Sequence, residues 1–335
     1  MEKMQAVVYE KYGSPEVLAL REVPKPVPKD DEVLVKTFAA AVNSWDWDVL
    51  RGKPFIVRMI GGPIKPRNTI LGLDIAGRIE AVGKNVTDFK VGDEVFGDIS
   101  EYHWGGFAEY VCVSPTPLAF KPPSLSFTAA AALPHAGVLA LQGMRLHPQL
   151  KAGDKMLING AGGGVGTIGI QLAKRMGLEV TAVDRTDKLK MLKEVGADHV
   201  IDYTKEDFAQ NGQQYDLIID NVAQRSVFTY QKALSPTGAF VMIGGNMGLL
   251  LPVIIYGGLL SKWSQKKIGI LAHKPSREDL NYLSELIEAG QLAPKVDRVY
   301  PLKEVPQALQ YFGDGNSQGK LVIEVARPQQ LKAEM

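Results

Sequence analysis

A dense group of glycines lies between residues 160 and 166, and it is the stretch of the chain best suited to bind a ligand. An apolar run over 156–159 predicts a buried strand, and helical spacing of apolar residues over 165–176 predicts a helix directly after the glycines. Glycine lets a backbone bend sharply and approach a phosphate, while a helix N-terminus offers free N–H donors. The stretch therefore predicts an anion-binding turn.

Two sets of residues in this turn fit the dinucleotide fingerprint. Gly164, Gly166 and Gly169 match G-x-G-x-x-G literally. Ala161, Gly163 and Gly166 match the variant with alanine first, and this set begins directly after the predicted strand. We prefer the second set, because the turn must follow the strand. A flexible loop is the alternative interpretation of any glycine run.

An acidic residue at the expected place supports dinucleotide binding over a flexible loop. The predicted strand 179–183 is followed by Asp184, where a carboxylate would accept a hydrogen bond from the adenosine ribose and repel a 2′-phosphate. Arg185 and Lys188 come next and could pair with that phosphate if Asp184 turned away. Asp184 thus favours NAD(H), and the sequence leaves NADP(H) open.

The same stretch carries a family resemblance, through Gly153-Asp154, Leu157, residues 161–164, Gly166, Gln171 and Lys174. The chain resembles the quinone oxidoreductase/zeta-crystallin branch of the medium-chain dehydrogenase/reductase superfamily. The resemblance covers nearly the whole chain, through LGLDIAGRIEAVG, VGDEVFG, GGFAEYV, GADHVIDY, YDLIID and GKLVIEV. It implies a GroES-like catalytic domain, a Rossmann domain, a nicotinamide cofactor that is NADPH in most members, and usually no zinc.

The resemblance also assigns cofactor contacts beyond the turn. Tyr203 resembles the family tyrosine at the adenosine end of the cofactor. The complete set of predicted cofactor-binding residues is Ala161, Gly162, Gly163, Gly164, Val165, Gly166, Asp184, Arg185, Lys188, Tyr203, Asn221, Val222, Gly244, Gly245 and Lys320.

Pattern and length indicate an α/β protein of two domains. The chain has 335 residues, more than one hydrophobic core usually supports. Short alternating strands up to about residue 124 suggest a partly antiparallel barrel, and strand-helix alternation after it predicts a doubly wound parallel sheet. The family resemblance implies that these are a GroES-like domain and a Rossmann domain. We expect a discontinuous catalytic domain over 1–124 and 274–335, and a Rossmann domain over 125–273.

The composition of the chain indicates which binding partners and which cellular compartment to expect. Lys and Arg number 38 against 37 Asp and Glu, which gives no reason to expect nucleic acid as a partner. The single cysteine, Cys112, and the lack of a secretory pattern favour the cytoplasm. The apolar run 249–260 is too short to span a bilayer; we read it as a pocket wall or subunit contact, with a membrane surface as the alternative.

The positions that hold catalytic zinc in related dehydrogenases are altered. The matching stretches are Asn43-Ser44-Trp45-Asp46 and Gly72-Leu73-Asp74, and a leucine side chain cannot bind Zn²⁺. His135 lies near the third ligand position and is more simply a pocket or core histidine. We therefore expect no zinc.

Without a metal, the easier reaction is hydride transfer to a quinone or an α,β-unsaturated carbonyl. The developing oxyanion then needs only hydrogen-bond donors. The candidates are Asn43, His135 and Tyr102, and Asp46 is expected to orient its neighbours. A structural turn asparagine is the alternative for Asn43.

Three open points concern the whole protein. Aromatic residues Trp45, Trp47, Tyr102 and Trp104 suit a planar substrate or, equally, core packing. The rival functions are a zinc-free alcohol or aldehyde dehydrogenase and a cofactor-binding structural protein with little turnover. We also expect a homodimer, because the late strand over 267–272 is predicted to be an exposed sheet edge.

Overall fold

The computed structural model describes residues 2–101 and 104–326, and the chain divides into two compact units. The first unit comprises the residues up to His135, residues 274–288 and those from Pro294 onward; the second comprises residues 136–273 and 289–293. The strands are β1 (Lys3–Val8), β2 (Ala19–Pro24), β3 (Val33–Ala41), β4 (Asp74–Val82), β5 (Glu94–Asp98), β6 (Tyr110–Val113), β7 (Leu118–Phe120), β8 (Lys155–Asn159), β9 (Glu179–Asp184), β10 (His199–Asp202), β11 (Tyr215–Asp220), β12 (Leu234–Met242), β13 (Lys267–Ile270), β14 (Val296–Pro301) and β15 (Lys320–Glu324). The α-helices are α1 (Ser44–Arg51), α2 (Ile56–Gly61), α3 (Phe127–Ala131), α4 (Pro134–Arg145), α5 (Gly164–Arg175), α6 (Leu189–Val195), α7 (Val227–Ala233), α8 (Leu250–Trp263), α9 (Arg277–Glu288) and α10 (Val305–Gly313).

The first unit is built on a mixed sheet of seven strands. Their order is β14-β15-β3-β4-β5-β7, and β6 also pairs with β3. The central strand β3 is antiparallel to β4, β6 and β15, so it joins the beginning of the chain to its end. Its burial is nearly complete from Val33 to Ala41, as expected for a strand covered on both faces.

The second unit is a parallel sheet of six strands in the order β10-β9-β8-β11-β12-β13. Counted from β8, this is the order 3-2-1-4-5-6 of a dinucleotide-binding fold, with its switch point between β8 and β11. The predicted doubly wound parallel sheet is therefore present. Ligands of such sheets bind outside the carboxyl ends of the strands, which directs attention to the residues that follow β8, β9, β11 and β12.

The boundary between the units differs from the expected one. It lies after His135 instead of residue 124, because α3 packs on β3 and β4 of the first sheet. Residues 289–293 also belong to the second unit. The Gln171 side chain of α5 bonds to the backbone N–H and carbonyl of Ala293, and Arg175 donates to the side chain of Gln291.

The apolar run 249–260 is largely helical. It begins in a short turn and continues as α8, which packs on β13. Among the described residues, no helix combines the length and the apolar character needed to cross a membrane.

Candidate functional site

The glycine turn of the second unit joins β8 to α5. Strand β8 ends at Asn159 and α5 begins at Gly164, with Gly163 as its N-cap in an extended conformation. A Cβ built on Gly163 meets no atom of the described residues within 4 Å, its chain neighbours aside, whereas one on Gly166 would lie 2.2 Å from the Ala161 carbonyl oxygen. Gly163 thus borders open space and Gly166 permits a tight contact between helix and turn. The geometry favours the fingerprint that begins at Ala161.

Asp184 at the end of β9 turns toward the glycine turn. Its Oδ2 accepts from the Gly162 N–H at 2.7 Å, and its Oδ1 accepts from the Arg185 N–H at 2.8 Å. The Lys188 ammonium lies 3.7 Å from Oδ1, and both side chains are buried. A Cβ on Gly162 would lie 2.4 Å from the Lys188 side chain and 2.8 Å from Asp184 Oδ2, so a larger residue here would require these two side chains to shift. Asp184 therefore holds the glycine turn in place through Gly162 and provides the negative charge that pairs with the Lys188 ammonium.

The other predicted residues of this loop differ in how accessible they are. The Arg185 guanidinium makes two hydrogen bonds to Asp187, at 3.2 and 3.1 Å. Tyr203 is 50% exposed, and its backbone N–H donates to the Asp184 carbonyl at 3.2 Å. Tyr203 thus lies beside Asp184 and is half exposed.

The segments after β11 and β12 lie against each other beside the turn. Asn221 donates to the Gly160 carbonyl at 3.3 Å, and its side-chain oxygen is buried with no hydrogen-bond partner among the described residues. A Cβ on Gly244 or Gly245 would lie 2.6 Å or 2.3 Å from backbone atoms of residues 221 and 223. Val222 is 44% exposed at this edge. An unpaired buried acceptor of this kind suits a ligand hydroxyl or amide.

These features together fit a dinucleotide. The first N–H groups of α5, at Gly164, Val165 and Gly166, face the free end of the helix, where its dipole favours an anion. Gly163 leaves room for a diphosphate, and Asp184 and Tyr203 lie where an adenosine ribose and ring would be held.

Lys320 lies at the centre of a buried polar cluster in the first unit. Its ammonium donates to the Val42 carbonyl at 3.1 Å, to Asn43 Oδ1 at 2.6 Å and to Asp74 Oδ2 at 3.0 Å. Lys320 is 4% exposed and Asp74 is 0% exposed. Because an ammonium has three hydrogens, all of them have acceptors within the protein. Those contacts make Lys320 a buried structural cation; they do not test its predicted contact with the cofactor.

Asn43 uses its whole side-chain amide in this cluster. Its Nδ2 donates to Asp74 Oδ2 at 3.0 Å and to the Ala41 carbonyl at 3.3 Å, while its Oδ1 accepts from Lys320. Both amide hydrogens therefore have protein acceptors. This geometry does not favour the predicted role of Asn43 as a donor to a substrate oxygen. It favours the alternative, a structural asparagine.

Asp46 connects α1 to the segment before β4. Its carboxylate accepts from the backbone N–H groups of Asn43 and Gly72, each at 2.8 Å. Burial raises the pKa of Asp46 to about 7, although the two N–H groups and the Lys320 ammonium act in the opposite direction. These contacts agree with an orienting role.

His135 forms a buried pair with Asp98. Its Nδ1 lies 2.7 Å from Asp98 Oδ2, and its backbone N–H donates to Asp74 Oδ1 at 2.8 Å. Asp98 also accepts from the Ser100 N–H at 2.9 Å. Burial opposes a charged imidazole, but the Asp98 and Asp74 carboxylates outweigh it and raise the pKa of His135 above its ordinary value. His135 thus retains a proton at higher pH than an ordinary histidine.

The remaining predicted residues of this region divide into three cases. Tyr102 lies outside the described residues. Trp104 packs against a core cluster of the first unit and donates to the Ser100 carbonyl, and the Trp47 ring lies 4.4 Å from the Arg51 guanidinium. Trp45 is 42% exposed. Core packing therefore accounts for Trp104 and an intrahelical contact for Trp47.

Asp98 was missed by reasoning from the sequence, and Asp74 was noted only as the residue after Leu73. Each is a carboxylate inside an otherwise apolar strand segment, LDIAG and EVFGD, which is a weak but readable signal. Leu73 itself is fully buried in the core.

Comparison with known proteins agrees with both units. Residues 29–123 match the alcohol dehydrogenase GroES-like domain family, and residues 195–323 match a family described as zinc-binding dehydrogenase. A "2-methylene-furan-3-one reductase" from Solanum lycopersicum is 35% identical over 96% of this chain and 79% of its own length. The "Quinone-oxidoreductase QR1, chloroplastic" from Triphysaria versicolor is 32% identical over 96% of this chain and 98% of its own.

A solved structure gives the same result for the fold. The quinone oxidoreductase from Coxiella burnetii superimposes with a TM-score of 0.87 at 30% identity, over 97% of this chain and 100% of that one. The chain belongs to the quinone oxidoreductase branch of the medium-chain dehydrogenase/reductase superfamily. The predicted family and fold class are thereby confirmed.

Proposed function

We propose that this protein is an NAD(P)H-dependent oxidoreductase that transfers hydride to quinones or α,β-unsaturated carbonyls without zinc. The observation that carries the proposal is the glycine turn: a strand, an open Gly163, the free N-terminus of α5 and Asp184 in the relation that a dinucleotide requires. The names of the tomato and Triphysaria relatives support the two classes of acceptor.

Some of the residues described above are placed to bind the cofactor, and others are placed to supply a proton to the substrate. The nicotinamide, when bound, supplies the hydride. The N-terminus of α5 would hold the diphosphate, and the unpaired Oδ1 of Asn221 would accept a hydrogen bond from a donor of the cofactor. Asn43 has no amide hydrogen to spare, so we assign proton donation to the reduced oxygen to the other two predicted donors, His135, whose Nδ1 lies beside Asp98, and Tyr102. Asp46 and Lys320 fix the backbone around this cluster.

Independence from zinc is supported by the two altered ligand positions. Leu73 is fully buried, and the Asn43 side chain is engaged by Lys320 and Asp74. The matched zinc-binding dehydrogenase segment, 195–323, does not include either position. The chemistry of these side chains does not suit Zn²⁺.

Turnover of the reduced cofactor tests the function. We expect the purified protein to oxidise NADPH or NADH with a panel of small quinones and enones, and to keep its rate in a chelator with no stoichiometric zinc by elemental analysis. Turnover with alcohols alone would support the first rival, a zinc-free alcohol dehydrogenase. Tight cofactor binding without any turnover would support the second, a structural cofactor-binding protein.

Cofactor preference depends on the pairing of Asp184 with Lys188. Asp184→Ser removes the charge that faces a 2′-phosphate and releases the buried ammonium, so the affinity ratio of NADPH to NADH should rise by about tenfold. Adding Lys188→Met should abolish the gain. Arg185→Ala is the matched control and should retain most of it, because Arg185 is engaged by Asp187. An unchanged ratio in Asp184→Ser, measured by calorimetry, would mean that this carboxylate does not face the ribose.

A homodimer through the second unit is our proposal for the assembly. β13 is the last strand of its sheet, and the Leu271 N–H donates inward to Met242. Because parallel strands alternate the direction of their backbone groups, the Ile270 N–H points outward. Ile270→Pro should therefore weaken association and spare the ladder to β12. Light scattering that shows a monomer before any substitution would contradict the proposal.

The cytoplasm remains our proposed compartment, supported by the single free Cys112. Imaging of the native chain with a C-terminal tag tests it.

A further inference from the structure

The loop over residues 221–225, between β11 and α7, has an acceptor within the second unit for each of its five backbone N–H groups. Two of them donate to backbone carbonyls, Asn221 to Asn159 and Ala223 to Gly244, each at 3.0 Å. The other three donate to two buried side chains. Because side chains in a close-packed interior have few alternative positions, these two side chains determine where the loop lies.

Asp220 is the first of these side chains and holds the beginning of the loop. Its Oδ1 accepts from the Val222 N–H and from the Asn159 side-chain amide, each at 2.9 Å. Its Oδ2 is buried with no hydrogen-bond partner in the described part of the chain. Burial raises the pKa of Asp220, while its polar neighbours Asn159, Tyr230 and the Val222 N–H act in the opposite direction. Asp220 is therefore a buried anchor and not a surface acid.

Tyr230 of α7 is the second side chain and holds the end of the loop. Its hydroxyl oxygen accepts from the N–H groups of Gln224 and Arg225, each at 3.2 Å. Its ring is fully buried and stacks on Phe240 of β12, with 4.0 Å between the ring centroids. Burial and the Asp220 carboxylate raise the pKa of Tyr230, so the hydroxyl keeps its proton. Tyr230 thus links the loop to the core of the sheet.

The order of the strands indicates which half of a dinucleotide this loop faces. Strands β9 and β11 lie on opposite sides of β8. The two halves of a dinucleotide bind on opposite sides of such a switch point, and Asp184 at the end of β9 lies where the adenosine ribose would be held. The loop after β11 is therefore on the nicotinamide side. It presents Asn221 Oδ1, unpaired among the described residues, and the half-exposed Val222.

We propose that Tyr230 and Asp220 are positioning residues, which hold the loop 221–225 where the nicotinamide half of the cofactor requires it. Both side chains are fully buried and act through backbone N–H groups, without touching the cofactor themselves. The proposal rests on the proposed function, since it requires a dinucleotide at the glycine turn. Its consequence is that loss of the Tyr230 hydroxyl weakens the binding of one half of the cofactor and spares the other.

Calorimetric binding of the intact cofactor and of ADP to the full chain tests this consequence. ADP carries the adenosine and the diphosphate but lacks the nicotinamide riboside. Tyr230→Phe keeps the buried ring and leaves the Gln224 and Arg225 N–H groups without their acceptor. We expect it to bind NADPH or NADH, whichever the unmodified protein binds more tightly, about tenfold more weakly, and to bind ADP with unchanged affinity.

Tyr215→Phe is the matched control. Tyr215 belongs to the same core cluster and is 2% exposed, but it begins β11 at the end of the strand opposite to the loop. Its hydroxyl interacts with the side chains of Asn211 and Thr181. This variant loses a buried hydroxyl in the same unit, so its thermal midpoint should fall by a similar amount, while its affinities for the cofactor and for ADP stay unchanged.

Two substitutions at Asp220 separate positioning of the loop from loss of a buried side chain. Asp220→Asn keeps an oxygen for the Val222 N–H and should bind the cofactor within about threefold of the unmodified protein. Asp220→Ala removes that oxygen and should weaken cofactor binding about tenfold, again with unchanged affinity for ADP. The thermal midpoint of each variant checks its fold.

Three results would overturn the proposal and leave the proposed function standing. The first is a Tyr230→Phe protein that binds the cofactor as tightly as the Tyr215→Phe control does. The second is an equal loss of ADP affinity in Tyr230→Phe, which would make Tyr230 a residue of general stability. The third is an Asp220→Asn protein that binds the cofactor as weakly as Asp220→Ala. An unmodified protein that binds neither NADPH nor NADH would instead contradict the proposed function, and the proposal with it.

Discussion

Gly163→Val is expected to weaken binding of both nicotinamide cofactors by more than about tenfold while the protein stays folded. In the part of the chain that the structure describes, no atom beyond the chain neighbours lies within 4 Å of a Cβ at Gly163, so the valine methyl groups would project into the space that the diphosphate needs. The backbone of Gly163 is extended, which valine adopts readily. Isothermal titration with NADPH and NADH measures the loss, and the thermal midpoint checks the fold.

Gly269→Val is the matched control for this substitution. Gly269 lies in β13 of the same unit, and a Cβ there also meets no atom within 4 Å among residues 2–101 and 104–326, apart from its chain neighbours. It should bind cofactor normally. Gly166→Val is unsuitable for the same purpose, because its Cβ would lie 2.2 Å from a backbone oxygen and would disrupt the fold. Unchanged affinity in a folded Gly163→Val protein would show that the diphosphate lies elsewhere.

Lys320→Met is expected to destabilise the first unit by roughly 3–5 kcal/mol. The substitution keeps an apolar stem of similar length but removes the ammonium, and so leaves the Asp74 carboxylate buried beside Asn43 without its cation. Urea unfolding followed by tryptophan fluorescence measures the change, since three of the four tryptophans, Trp45, Trp47 and Trp104, belong to the first unit.

A second substitution distinguishes the effect of the lost charge from the effect of altered packing in this cluster. Adding Asp74→Asn to Lys320→Met removes the uncompensated carboxylate and should restore much of the lost stability, because the Asn43 amide can turn to face the new amide. Lys303→Met, an exposed lysine in the same unit, is the control and should change stability by no more than about 0.5 kcal/mol. A loss in Lys320→Met as small as in this control would mean that the buried cation contributes nothing.

The parts of the site that could be predicted are those whose determining residues are adjacent in sequence. The turn at 160–163 and the end of β9 were predicted because strand, glycines and helix are adjacent in sequence. The position of Asp184 was predicted, but its contact with the turn was not. Its position followed from spacing, but its bond to the Gly162 N–H depends on how far the side chain turns, which no spacing specifies.

The buried cluster could not be predicted for the opposite reason. Lys320 and Asn43 are 277 positions apart, and only the pairing of β15 with β3 brings them together. Helix α8 was not predicted, because Pro252 and two glycines in this segment argue against a helix. Proline is tolerated in a first turn, and Gly257 is needed where α8 contacts β13.

The pairing of β15 with β3 also sets an order of events during synthesis. Strand β3 leaves the ribosome early, but its neighbour β15 is among the last segments to be made, whereas the second unit is nearly continuous in sequence. Long-range pairings are slow to form, and a continuous domain can fold as it emerges. Through most of translation the edge of β3 over Ala39–Ala41 therefore has no partner strand, and Asp74 has no ammonium beside it. Because an unpaired strand edge can pair with another chain, we expect aggregation of the first unit to compete with its folding until β15 is made.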